Sequence, residues 1–249
     1  MRPNKLLGQN FLTSETIAED IVRAAEIQKD DTIIEVGPGK GMLTKYLIKT
    51  TARIIAVEKD TNLAETLQNT FPESENLDII PGDILRIYKD IIPEKPYKIV
   101  ANLPYYLTSH FLRLFLEEIE HKPQTMVLMV QKEVAERIIA QPPHMNLLAL
   151  SVQAFSTPKI VKIVKKGSFF PQPEVDSAVI KLSSISGEFF DHHNINPKIF
   201  FTRARQAFSQ KRKMLRNSID VQDKYTKKRP QDLALEDWAE IIKHASYNM

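Results

Sequence analysis

A chain of 249 residues is long enough for one large domain with a small appendage, and 43% hydrophobic with 26% charged content is ordinary for a globular protein. The absence of cysteine excludes disulfides, thiolate metal ligands and thiol nucleophiles, and makes the cytoplasm the default compartment. No apolar run approaches the roughly 20 residues that cross a bilayer, and Met1 to Gly8 carries no secretory signal, so neither a membrane partner nor a metal is expected.

Thr13 or Ser14 is placed to cap a helix whose apolar positions Ile17, Ile21, Val22 and Ala25 keep helical spacing. A β-rich run, Thr32-Ile-Ile-Glu-Val36, leads into Gly37-Pro-Gly-Lys-Gly41 and then a second helical pattern through Leu43, Tyr46 and Leu47. The alternation continues with strand 53–57, a helix over Leu63 to Leu67, strand 77–80, strand 98–101, a helix through Phe111, Leu114 and Phe115, strand 126–130, and a helix from Lys132 to Ala140. Such alternation predicts an α/β fold with a mostly parallel sheet covered on both faces. Runs 160–164 and 178–182 flank a proline-rich stretch and read as a hairpin-like edge of the same sheet. Residues 183–197 are polar and irregular, a linker, and beyond them helical spacing about Phe200, Phe208, Leu215, Leu235, Trp238 and Ile242 has no strand signal. The expectation is a domain at 1–183 and a small all-helical domain at 184–249.

The net charge of +3 is uneven: residues 198–229 hold eleven Lys/Arg against two acids, which leaves the rest acidic. A concentrated basic segment suits a polyanion, because neutralising phosphates releases counterions; a solvated helix face has the same count.

The glycine segment after the first long strand lets the backbone turn sharply and approach a ligand, with the amides of the following helix in support. A nicotinamide dinucleotide site carries G-x-G-x-x-G, whereas this is G-x-G-x-G behind Glu35, an acid where a pyrophosphate would be repelled. An acidic approach suits a cationic ligand such as S-adenosylmethionine. Glu58 ends the next strand, where an acid accepts ribose hydroxyls, and Asp83 ends the third, within reach of an adenine amino group. Either acid alone also reads as a solvated loop carboxylate; acids ending three successive strands favour a site.

Asn102-Leu103-Pro104-Tyr105 ends the following strand on the same sheet edge. The exocyclic nitrogen of adenine is a poor nucleophile because its lone pair is delocalised into the ring. Hydrogen bonds accepted from its hydrogens by the Asn102 side chain and by a main-chain carbonyl at Leu103 or Pro104 would favour pyramidal geometry and aim the lone pair. Proline fixes the backbone direction, and Tyr105 offers a face for an extruded base. The same four residues read alternatively as a plain β-turn.

At this point the chain resembles the ribosomal RNA adenine N6-dimethyltransferases, and within them the bacterial small-subunit branch, over nearly its whole length. The blocks that carry the resemblance are Gly8-Gln-Asn-Phe-Leu12, Glu35 to Gly41, Asn102 to Tyr105, Gln131 to Arg137, Phe169-Phe-Pro-Gln-Pro-Glu-Val-Asp-Ser177 and Phe208 to Asn217. The resemblance implies a Rossmann-like class I S-adenosylmethionine-dependent methyltransferase with a small C-terminal helical domain. By it, Asn10, Leu12, Glu35, Gly37, Gly39, Gly41, Glu58, Asp83 and Asn102 bind the cofactor, while Asn102, Leu103, Pro104, Tyr105 and Phe169 serve catalysis, Tyr105 and Phe169 sandwiching the target adenine. Arg203, Arg205, Lys211, Arg212, Lys213 and Arg216 become an RNA-binding surface. The implied reaction is dimethylation of two adjacent adenines in a hairpin near the 3′ end of 16S rRNA, within a small-subunit precursor late in assembly, by a monomer. Two departures from the family stand out: the loop Gln141 to Leu150, and Tyr106, which stands where Asn or His is common and is expected to matter little. An NAD-dependent oxidoreductase is disfavoured by the glycine spacing. A noncatalytic RNA-binding factor would show decay of Glu58, Asp83 or Asn102, and all three are intact.

Overall fold

The computed structural model describes residues 9–210 and 212–247, the side chains of 245–247 apart. They fall into two compact units, one taking the chain to Ala135 and again Lys159–Ile185, the other Glu136–Pro158 and the chain from Ser186 onward.

The first unit is built on a seven-stranded sheet. Its strands are β2 (Thr32–Val36), β3 (Arg53–Glu58), β4 (Leu77–Pro81), β5 (Tyr97–Asn102), β6 (Thr125–Gln131), β7 (Thr157–Val164) and β9 (Ser177–Ser183), in the order β4-β3-β2-β5-β6-β9-β7. Pairings from β4 through β6 are parallel, and β9 returns antiparallel to β6. β2 and β3 carry the β-branched runs that favour a pleated, fully covered surface. All five residues of β2 are buried, as a central strand with helices on both faces requires. Because β2 pairs with β3 on one side and β5 on the other, the chain reverses its direction of winding between β2 and β5. Crevices at such a switch point, outside the carboxyl ends of the strands, are where open α/β sheets bind ligands. A two-residue ribbon lies apart from this sheet: β1 (Phe11–Leu12) pairs antiparallel with β8 (Phe169–Phe170), Leu12 opposite Phe169 and Phe11 opposite Phe170.

Helix α1 (Glu15–Ala24) precedes β2, helices α2 (Thr44–Leu47), α3 (Thr61–Thr70), α4 (Ile84–Ile91) and α5 (Thr108–Arg113) connect the parallel strands, and α6 (Lys132–Ile138) follows β6. Asp60 caps α3 by accepting from the amides of Asn62 and Leu63, and Asp83 caps α4 through the amide of Leu85. Ile17, Ala18 and Ile21 of α1 share one core cluster with Ile33, Ile54, Val100, Val127 and Val179. Clearing that face of apolar atoms from water is the main term holding the unit together.

The second unit gathers α7 (Leu147–Gln153), α8 (Glu188–His193), α9 (Pro197–Ser209) and α10 (Leu235–Tyr247). Phe155, Phe190, Phe200 and Phe201 form a ring cluster with centroids 5.0 to 5.9 Å apart. Trp238, fully buried, stacks on Phe208. Asn146 caps α7 and holds the carbonyl of Arg137. This differs from the expected arrangement twice. Residues 136–158 pack with the helical unit although they precede β7 in the chain, so the boundary is not a single cut at 184. Residues 183–197 are not a bare linker, since α8 buries Phe190 there. No helix among the described residues is long and apolar enough to cross a membrane.

Gly41 closes the turn after β2 with φ +81°, and a Cβ there would stand 2.8 Å from the Phe71 ring and 2.9 Å from Leu67. Both the backbone conformation and the contact penalise any side chain. Gly41→Ala should lower unfolding free energy by about 1 to 3 kcal/mol, read as a lower urea midpoint; an unchanged midpoint would contradict this packing.

Candidate active site

The carboxyl ends of β2, β3, β4 and β5 open into one cavity together with the β1–β8 ribbon. Asn10, Leu12, Gly37, Gly39, Glu58, Asp83, Asn102, Leu103, Pro104, Tyr105 and Phe169 all line it. Residues from six separate stretches of sequence thus meet at the switch point.

Two expected cofactor contacts do not line it. Glu35 is fully buried inside β2, with Oε2 accepting from the Thr44 hydroxyl at 2.8 Å and Oε1 without a partner. Burial pushes its carboxyl up to about 8, the neighbouring charge of Glu58 adding to the rise and the Thr44 bond opposing it. At neutral pH it is therefore mostly uncharged, and it does not make the cleft acidic. Gly41 faces α3 instead of the cavity, for the packing reason given above. The following helix also contributes less than expected, because α2 has only four residues and no developed dipole.

The acids that do line the cavity are committed to bonds of their own. Glu58 accepts from the Gly39 amide at 2.9 Å and the Asp60 amide at 2.9 Å. Burial raises its pKa, and those amides pull the other way. The Gly39 amide, which a pyrophosphate would need, is thus already held by a carboxylate. That observation disfavours a dinucleotide and fits a nucleoside ligand without phosphates. Gly39 has φ +60°, and a Cβ on it would meet the Phe11 ring at 3.0 Å, so the turn and the ribbon touch through glycine alone. Asp83 pairs with Lys59 at 2.9 Å. Burial acts to raise the Asp83 carboxyl, but the Lys59 bond and the Leu85 amide outweigh it and hold it below its ordinary value.

At the end of β5 the Asn102 Nδ2 donates to the main-chain carbonyl of Asn10 at 3.3 Å. A carbonyl partner can only be met by the amide nitrogen, so Oδ1 is the end left to accept. The carbonyl of Pro104 already accepts from the Leu107 amide at 2.9 Å, and no hydrogen bond among the described residues ends on that of Leu103. Of the two main-chain carbonyls expected as acceptors, that of Leu103 has both lone pairs open and that of Pro104 one. Tyr105 anchors its hydroxyl on Ser177 at 3.0 Å, which sets the direction of the ring. Phe169 turns inward from β8 and is 5% exposed. Phe11, Lys59 and Tyr106 also line the cavity and were not foreseen as contacts.

The basic residues belong to the helical unit. Arg203 and Arg216 line one polar cleft with Gln206 and Ser218, whose hydroxyl is buried and unpartnered. Arg205, Arg212 and Lys213 are exposed beside it in sequence, and Lys211 lies outside the described residues, as does Gly8 of the N-terminal block.

A doubly wound sheet with a glycine turn whose amide is held by a carboxylate, acids at the ends of β3 and β4 and an Asn-x-Pro-Tyr corner at the end of β5 is the arrangement expected of an S-adenosylmethionine-dependent methyltransferase of adenine amino groups. The sequence model of the ribosomal RNA adenine dimethylase family matches residues 1–246, and the chain belongs to that family. It is 45% identical over 221 residues to a ribosomal RNA small subunit methyltransferase A of Dehalococcoides mccartyi, covering 88% of this chain and 75% of that protein. A protein of the same description from Clostridium acetobutylicum is 41% identical over 222 residues, covering 88% and 79%. Among solved structures, a dimethyladenosine transferase from Plasmodium falciparum superposes with a TM-score of 0.81 at 24% identity over 95% of this chain and 98% of that one. The 23S rRNA methyltransferase ErmE gives 0.73 at 21% over 94% and 99%. Those two likenesses establish the shared fold.

A carboxyl that is neutral when buried and ionised in the unfolded chain makes stability fall as pH rises from about 4.5 to about 8. Glu35→Gln should remove that slope, so that the variant gains on the wild type between pH 5 and 8 in urea unfolding; parallel pH profiles would contradict the burial of an uncharged Glu35.

Proposed function

We propose that this chain dimethylates two adjacent adenines in a hairpin near the 3′ end of 16S rRNA, acting as a cytoplasmic monomer on a small-subunit precursor late in assembly. The family defines rRNA adenine dimethylation; the small-subunit choice draws on the relatives at 41 to 45% identity. The single observation that carries the chemical reading is the orientation of the Asn102 amide, held by Asn10.

S-adenosylmethionine, when bound, supplies a methyl group made electrophilic by a positively charged sulfur. Glu58 would hold its ribose hydroxyls and Asp83 its adenine amino group, with Asn10, Leu12, Gly37 and Gly39 around the remainder. Asn102 Oδ1 and the Leu103 carbonyl then accept the two hydrogens of the target amine, which turns its lone pair toward the cofactor. Tyr105 and Phe169 offer faces for the extruded base, a stack typically worth ~1 to 3 kcal/mol. No general base is needed. An amide is not basic at neutral pH, and the ammonium-like product is acidic enough to lose its proton to water once the bond has formed. The work of these side chains is alignment in a near-attack geometry.

An extruded loop base fits what proteins can read on RNA, whose deep major groove is closed to side chains. Arg203 and Arg216, joined in one cleft, with Arg205, Lys211, Arg212 and Lys213, supply the phosphate contacts that bring the hairpin in.

Small subunits isolated without the modification test the reading. Incubated with this chain and labelled cofactor, they should gain two dimethyladenines in 16S rRNA by mass spectrometry. Asn102→Ala should cut that transfer by about 100-fold or more, while S-adenosylhomocysteine affinity stays within about threefold by calorimetry. Label confined to large-subunit rRNA would refute the substrate, and equal loss of binding and transfer would refute the role of Asn102.

A further inference from the structure

The two most exposed large apolar side chains among the described residues are Phe170 at 60% and Tyr106 at 55%. Each directly follows a ring assigned to the target adenine, in Tyr105-Tyr106 and Phe169-Phe170. Tyr106 lines the mouth of the cavity beside Lys59. Phe169 points inward, so strand alternation sends Phe170 to the other face of the ribbon, where its register partner is Phe11. Phe11 itself lines the cavity, whereas Phe170 does not and stands exposed outside it, one residue beyond Phe169.

Leaving two aromatic rings in water forfeits the burial free energy that each would gain inside a core, unless a partner covers them. The charges around them indicate the partner. Lys40 sits 5.0 Å from the centroid of the Phe11 ring, and Lys165, paired with Asp176 at 2.9 Å, and Lys166 lead directly into β8. Lys40 and Lys166 form no ion pair among the described residues. Exposed rings interleaved with free cations are the two components of a surface for unpaired nucleic acid: bases stack on the rings and phosphates meet the ammonium groups.

We propose that Tyr106 and Phe170 are an outer pair of stacking platforms for the unpaired bases that flank the extruded adenine. While one adenine occupies the inner rings, an outer ring holds its neighbour, which is the next base to be methylated. This makes Tyr106 a specificity-determining residue at a position where the sequence reading expected little effect. The inference rests on the proposed substrate.

The test uses the full chain and small subunits lacking the modification. Phe170→Ala and Tyr106→Ala should each raise the KM for subunits about tenfold, with S-adenosylhomocysteine affinity within about twofold of wild type, as expected for loss of one base stack. Phe170→Trp should restore the KM and Phe170→Leu should not. Three results would overturn the inference while the wild type remains active: an unchanged KM in the alanine variants, rescue by leucine equal to that by tryptophan, or a loss of S-adenosylhomocysteine affinity that assigns the ring to the cofactor. A wild type inactive on these subunits would overturn the proposed substrate, and this inference with it.

Discussion

The hydrogen bond from Asn102 Nδ2 to the carbonyl of Asn10 decides which end of the amide faces the cleft. Reversed, the side chain would present donors to an amine that also donates, and the lone pair could not be aimed. The bond depends on the N-terminal segment lying across the end of β5. That segment is held by the β1–β8 ribbon and by the amide of Thr13 on the carbonyl of Ser168. The ribbon in turn needs a residue without a side chain at 39, where the Phe11 ring closes on the turn. Gly39, Phe11, Asn10 and Asn102 thus form one mechanical chain, although 63 residues separate its glycine from its asparagine.

The acids of the site divide their tasks by environment. Glu35, buried and mostly neutral, links β2 to Thr44 beneath the turn. Glu58 ties the turn down by accepting its amide and keeps lone pairs for hydroxyl donors. Asp83 remains charged against Lys59 at the rim. Three carboxyls at the ends of neighbouring strands would repel one another if all were ionised in a shared low-dielectric cleft. Burying one as an acid and pairing another with a lysine removes most of that repulsion.

Much of this was legible in the sequence. The β-branched runs after polar breaks located the parallel strands, and residues at or just after the ends of β2 to β5 line the cavity because parallel strands bring those ends to one edge. What failed did so for physical reasons. In β2 every position is buried, so there is no alternation to tell which face Glu35 takes. Gly37, Gly39 and Gly41 look equivalent in the chain, yet only contacts with Phe11 on one side and with Leu67 and Phe71 on the other distinguish the second from the third. Residues 136–158 join the helical unit through pairings such as Met145 with Gln231, which no local pattern reports. The ribbon strands have two residues each, too few to carry a periodicity, so Phe11 and the outward turn of Phe170 became visible only in three dimensions.

The most direct test of the central claim is a crystal structure of this chain with S-adenosylhomocysteine and adenosine bound together. The account predicts the adenosine amino nitrogen within hydrogen-bonding distance of Asn102 Oδ1 and the Leu103 carbonyl, with Nδ2 still on the Asn10 carbonyl. An amide turned the other way, or an amino group bound elsewhere in the cleft, would contradict it.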